Sequence, residues 1–363
     1  MLVAIAACTD VDFDADERAR LQSLTQLPPP PADLSNPFAT DPRAVELGQE
    51  LFFDRALGGA ATMLDALDRP VSHARPGVSC ASCHALGSGG SDHDSSPNHV
   101  SIGPGWTPTN AGTVINTAYY DLIFWNGRAD SLWGMIPPVL ESKQSMNGNR
   151  LAIAWRVKEK YANQYTAIFG ALPFGETFQE ATGHAVMGDP RLCATGAGDV
   201  CPSGCSVGTD MSCRPKFPLQ GMPGPDKRCT VVTATTTVQP FNDAYDCMDE
   251  TDRGAIDRVF VNVAKALAAY EMQLNVRDST FEAHMRGEAS MSAAAIRGAR
   301  LFVGKAGCFE CHNGAFFSDQ SFHNIGVPQV GDGVPTELDC YAGRKLCDCV
   351  TPTASCQPWG LFD

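Results

Sequence analysis

The sequence predicts a mostly α-helical protein built from a duplicated small domain, and three observations carry that prediction. The pentapeptide C-x-x-C-H occurs twice, as CASCH (80–84) and CFECH (308–312). Each copy is preceded by a segment containing G-x-x-L-F, with Gly48, Leu51 and Phe52 in the first and Gly298, Leu301 and Phe302 in the second. Between them, Ile256, Phe260, Val263, Leu267, Tyr270 and Leu274 recur near the helical period. Internal self-similarity of this kind is the mark of a duplication.

Each helix has its own local signals. The first G-x-x-L-F segment opens with Asp41 as N-cap and Pro42 at the first helical position, and sets Val45, Leu51 and Phe52 on one side. The second opens with Ser292, carries Ile296, Ala299 and Phe302, and stops at Gly304. Asp252 reads as the cap of the third helix. A glycine inside a helix weakens it, so Gly48 and Gly298 are expected to admit another helix or a bound group at close range.

The 363 residues suffice for two domains. With 19% charged and 44% hydrophobic residues the chain is neither disordered nor a membrane bundle, and no apolar run approaches the roughly 18 residues of a spanning helix. A net charge of −14 repels phosphates and argues against nucleic acid. It keeps the protein soluble, and an acidic docking face for a small basic partner is the minority reading.

The opening MLVAIAAC (1–8) reads as the remnant of an export signal, ending in a lipoprotein-like box with Cys8 as the lipidated residue. Residues 9–36 read as an acidic, proline-rich tether. A first domain is placed at 37–165 and a second at 166–363. The second carries a cysteine-rich loop insertion near 188–248 and is expected to be cut short at its C-terminus. Six cysteines (Cys193, Cys201, Cys205, Cys213, Cys229, Cys247) fall in the insertion and four (Cys340, Cys347, Cys349, Cys356) near the end. Both groups read as disulfide-tied loops in an exported protein, with a four-cysteine zinc site as runner-up.

A single C-x-x-C-H could hold zinc, cycle a disulfide or carry a covalent haem. From the composition, chance predicts only about 0.01 copies. Two copies favour haem, because neither a redox pair nor a zinc site requires the following histidine twice. Cys80 and Cys83 would then bind one porphyrin with His84 as its axial iron ligand. Cys308, Cys311 and His312 would serve a second. The motif fixes one face of each iron, and function depends on the other.

At this point the chain resembles the bacterial di-haem cytochrome c peroxidases and the related MauG-type enzymes. The resemblance runs from about Asp41 to Gly326, apart from the insertion. It is carried by DPRAVELGQELFFD (41–54), CASCH, SIGPGW (101–106), NAGTVIN (110–116), FWNGRADSLW (124–133), KALAAYE (265–271) and the segment 296–328 around CFECH. It implies two c-type domains, a periplasmic location, and reduction of hydrogen peroxide at the N-terminal haem with electrons from a small cytochrome through the C-terminal haem. It also implies Trp125 as the relay between the haems and Asn110 as a ligand of a calcium ion. A homodimer and a lipid anchor at Cys8 are carried as further expectations.

Three departures qualify the resemblance. Where many resting peroxidases carry a histidine that plugs the peroxide site, this chain has Pro104, which cannot ligate iron. That leaves the first haem open, as in MauG-type enzymes, with His93 and His99 read as exposed loop residues. The glutamine and glutamate above the peroxide are replaced by Met135 and Ser145, neither of them a base at neutral pH, which leaves Glu141 as a weak stand-in proton shuttle. The chain ends 51 residues after His312 with no methionine beyond it, and Tyr341 is a poor match for the tyrosine ligand of MauG. His323 is expected near the second haem without ligating it. Peroxidase is the leading reading. The alternatives are a MauG-like enzyme oxidising a partner protein and a non-catalytic di-haem electron carrier.

Overall fold

The computed structural model describes residues 13–323, apart from 66, 95–99, 175–204, 208–212, 216, 225–243 and 277. The described chain is mostly helical. Its helices are α1 (Ala15–Ser23), α2 (Pro42–Phe53), α3 (Leu132–Glu141), α4 (Arg150–Lys160), α5 (Ala162–Phe169), α6 (Glu250–Glu271), α7 (Thr280–Met285) and α8 (Ala293–Val303). Two three-residue strands, β1 (Cys205–Val207) and β2 (Cys213–Pro215), pair antiparallel inside the cysteine-rich segment. No helix among the described residues is long and apolar enough to cross a membrane.

The chain divides into two compact units, Pro31–Asn275 and the residues on either side of it. The division does not fall at 165/166, because α6 packs with α2, α3 and α4. The stripe on α6 is the centre of that core: Ile256, Val263 and Leu267 are fully buried, with Phe260 and Tyr270 nearly so. Leu47, Leu51 and Phe52 of α2 join them, as do Leu151, Ile153 and Val157 of α4. Asp54, just beyond α2, accepts hydrogen bonds from Arg156 at 2.8 and 3.1 Å and from the Tyr161 hydroxyl at 2.7 Å.

The caps of α2 and α8 follow their sequence signals. Asp41 accepts from the Arg43 amide with Pro42 inside the first turn, Ser292 caps α8, and Gly304 ends it. The cap of α6 is corrected to Asp249, whose carboxylate accepts from the amides of Thr251 and Asp252. Asp252 lies inside the first turn, where a carboxylate still suits the helix dipole.

The tether expected over 9–36 is also corrected, since residues 15–23 form a helix. Asp14 and Glu17 build a reciprocal capping box at 2.8 and 3.0 Å, and Phe13, Leu21 and Leu24 are buried. They pack around Val303 with Phe281, Met285, Ile296, Phe302 and Phe309. Acidic composition suggested a solvated spacer, but three apolar residues, one within this short helix and one at each side of it, are enough to dock it.

Candidate haem-binding sites

In the first unit, Cys80–Ser82 form a single 3-10 turn held by Cys83 N–H to Cys80 O at 3.1 Å and His84 N–H to Cys80 O at 2.9 Å. Residues three apart eclipse in a 3-10 turn, so the thiols of Cys80 and Cys83 stand on one side of the chain. The Ser79 amide donates to Ser82 Oγ at 3.0 Å and fixes the entry to the turn.

His84 Nδ1 lies 3.1 Å from Gly90 O and 3.0 Å from Gly112 O. Carbonyl oxygens only accept, so Nδ1 carries the proton and Nε2 keeps a lone pair for a metal. Burial, working against these two bonds, holds the imidazole below its usual pKa and so keeps it neutral. The turn that returns Gly90 to His84 passes through Gly89 and Gly90, both in the left-handed region. A side chain on Gly90 would press on Ile115, Val114 and Thr113.

The thiols of the first turn are not poised for disulfide cycling. Burial pushes Cys80 up to about 12, with Glu271 adding to it, and pushes Cys83 up to about 11, with Asp92 adding to it. Redox-reactive cysteines lie in surroundings that lower the thiol pKa.

The second unit repeats the geometry. Cys308–Glu310 form a 3-10 turn, His312 N–H donates to Cys308 O at 2.9 Å, and His312 Nδ1 lies 2.8 Å from Phe317 O. Phe302 of α8 lies beside the imidazole, with ring centroids 6.3 Å apart. Asp319 N–H donates to Cys311 O at 3.0 Å, and the Asp319 carboxylate pairs with His323 Nε2 at 2.8 Å. At both turns the residues present suit a porphyrin iron approached from one side: two free thiols and one imidazole nitrogen with an available lone pair.

Other residues singled out by the sequence fall around the first site. Trp125 is 70% exposed, and its indole N–H donates to Asn110 O at 2.9 Å. The Asn110 side chain is itself engaged, donating to Asp92 O at 2.8 Å and accepting from Ser101 Oγ at 2.9 Å. Pro104 O accepts from the Thr62 and Met63 amides at 2.7 and 3.1 Å, and the Gly105 amide donates to Gln144 O at 3.2 Å. The SIGPGW segment lies beside Gln144 and Ser145, while Met135 packs against the core.

Glu141 does not point to proton transfer. Both of its oxygens are held by Arg150 at 2.8 Å, and Arg150 reaches Asp257 at 2.8 Å. Burial lowers and the two carboxylates raise the Arg150 pKa, with a net upward result, so the guanidinium stays charged. Glu141 is thus tied into an ion-paired cluster beside the first site. His93 Nε2 pairs with Ser91 Oγ at 3.0 Å on the surface. Cys8, His99, Tyr341 and the four C-terminal cysteines lie outside the described residues, as does most of the insertion.

Sequence reasoning missed the groups that hold the ligands. The carbonyls of Gly90, Gly112 and Phe317 carry no side-chain signal, although the glycine run after CASCH hinted at a tight return. Glu271, the last residue of KALAAYE, is buried, and its Oε2 has no hydrogen-bond partner among the described residues.

Residues 42–187 match a family model described as di-haem cytochrome c peroxidase. A cytochrome-c peroxidase IdrP1 of Denitromonas iodatirespirans is 27% identical over 335 residues, covering 91% of this chain and 62% of that protein. The methylamine utilization protein MauG of Methylorubrum extorquens is 25% identical, covering 90% and 65%. The cytochrome c551 peroxidase of Pseudomonas aeruginosa is 23% identical, covering 79% and 55%. The chain thus spans less than two thirds of the length of these relatives. Among solved structures, a MauG-like protein associated with microbial copper homeostasis superposes with a TM-score of 0.47 and 20% identity, covering 81% of this chain and 58% of that one. Residues 42–187 of this chain are thus similar to the di-haem cytochrome c peroxidase family.

Proposed function

We propose that this chain is an exported, periplasmic di-haem peroxidase with two tandem c-type haem domains. It reduces hydrogen peroxide at the His84 site with electrons received at the His312 site from a small cytochrome. The observation that carries the reading is the repeated turn, in which each motif histidine has Nδ1 on a backbone carbonyl and Nε2 left for iron. The relatives named as cytochrome-c peroxidases support the activity.

Haem, when bound, supplies the two-electron cleavage of the peroxide O–O bond, in which H2O2 takes up two electrons and two protons to give two waters. The protein's part is positioning. Cys80 and Cys83 would hold the group, and the carbonyls of Gly90 and Gly112 fix the plane and tautomer of His84. Pro104 has no ligating side chain and its carbonyl is occupied by Thr62 and Met63, so this residue would offer no ligand to a bound iron. Trp125, tied to Asn110, is the proposed relay. Calcium at Asn110 would have to use the lone pair of Oδ1 that Ser101 leaves free.

The disulfide at Cys247 supports the reading of 188–248 as a disulfide-tied insertion, and with it an oxidising compartment. Pro104 also favours a second reading, a MauG-like enzyme that withdraws electrons from a partner protein.

Pyridine haemochrome assay and electron paramagnetic resonance test the proposal. Two haems per chain and one high-spin signal that one equivalent of peroxide abolishes without prior reduction are expected. Turnover with a reduced cytochrome separates the peroxidase from the MauG-like reading. Two low-spin signals unmoved by peroxide would identify a carrier and end the enzymatic reading.

A further inference from the structure

The helix α1, far from CFECH in sequence, is built into the unit that carries it. Phe13, Leu21 and Leu24 are 2%, 1% and 2% exposed and enclose Val303, the last residue of α8. Two residues of the second haem site belong to the same cluster: Phe302, beside the His312 ring, and Phe309, which stands between the two motif cysteines.

One side chain joins these parts. Arg20 Nη1 donates to Val303 O at 2.9 Å, one of the carbonyls that a helix end leaves without an intrahelical partner. A cation there also suits the negative end of the helix dipole. The same guanidinium lies over the Phe309 ring, 5.8 Å from its centroid. Glu17, from the capping box of α1, reaches Arg300 of α8 at 3.3 Å. An arginine suits this task better than a lysine, because its planar fork can bond the carbonyl while its face meets the ring.

We propose that α1 is an element of the second haem site and that Arg20 is a positioning residue for it. Arg20 clamps the end of α8 to the CFECH turn and so sets how His312 is presented to the iron. Its positive charge also favours the reduced state of the haem held there, because reduction removes one positive charge from the iron. The inference rests on the haem reading of CFECH.

The test is a redox titration of the full-length, haem-loaded protein, resolving both haems. Arg20→Ala should lower the reduction equilibrium constant of the second haem by about threefold, the effect being damped by solvent, and leave the first unmoved. Arg20→Lys should restore part of the shift. Arg18→Ala removes a neighbouring charge of the same helix, 5.9 Å from the Phe13 ring centroid, and should move neither haem. If Arg20→Ala yields no soluble protein, Arg20→Lys decides, and a shift confined to the second haem supports the proposal. Two attached haems with unmoved potentials in both Arg20 variants, or equal shifts of both haems, would overturn it. A protein with no haem at Cys308 and Cys311 would instead overturn the reading on which it rests.

Discussion

Gly48 and Ala266 bring α2 and α6 together at a distance that no side chain would permit, since a β-carbon on Gly48 would run into the Ala266 carbonyl and crowd Tyr270. The glycine of the first G-x-x-L-F pattern is therefore spent on helix contact. Its counterpart Gly298 has nothing within 4 Å of the corresponding position among the described residues. Gly48→Ala should cost about 3 kcal/mol, because backbone must move on both helices. Chemical denaturation measures it, and an unchanged midpoint would contradict the close approach.

Arg150 and Glu141 give a prediction that separates structure from catalysis. Removing Arg150 leaves the half-buried Glu141 and Asp257 without their cation, and Arg150→Ala should cost roughly 3–5 kcal/mol. Glu141→Gln should lower the melting temperature while the rate of reaction with peroxide stays within about twofold. A large loss of that rate with stability intact would restore Glu141 as a proton carrier.

Asp54 should make the protein acid-sensitive. Burial pushes its carboxyl up, but Arg156 and Tyr161 together outweigh this and hold it below the usual value of 3.8. With the folded pKa below the unfolded one, the stabilisation is present above about pH 4 and fades as pH falls through the folded value. Asp54→Asn should be less stable at pH 7, and the difference should shrink toward pH 3. Parallel stability curves would count against the ion pair.

Glu271 should act in the opposite sense. Burial alone pushes its carboxyl from 4.5 up to about 8. The folded protein holds this proton more tightly than the unfolded chain, so the contribution is full below about pH 4.5 and is lost as pH rises through about 8. The cost once ionised is on the order of a few kcal/mol. Glu271→Gln should therefore gain on the native protein between pH 5 and pH 9, as thermal melts over that range would reveal. A constant difference would mean that Glu271 is already ionised and paired at pH 5.

The sequence by itself determined what is written in consecutive residues: the two pentapeptides, the caps at Asp41 and Ser292, and the apolar stripe from Ile256 to Tyr270. Each depends on neighbours within a turn or two of chain, and periodicity and spacing report such neighbours directly. Tertiary structure alone decided which carbonyls fix His84, that Arg150 takes up Glu141, and that α1 docks on α8 through Arg20. Those pairings join residues that are distant in the chain or backbone groups common to every residue, so no local pattern specifies them. They exist because packing brings an unsatisfied donor to an unsatisfied acceptor and burial makes leaving either one alone costly.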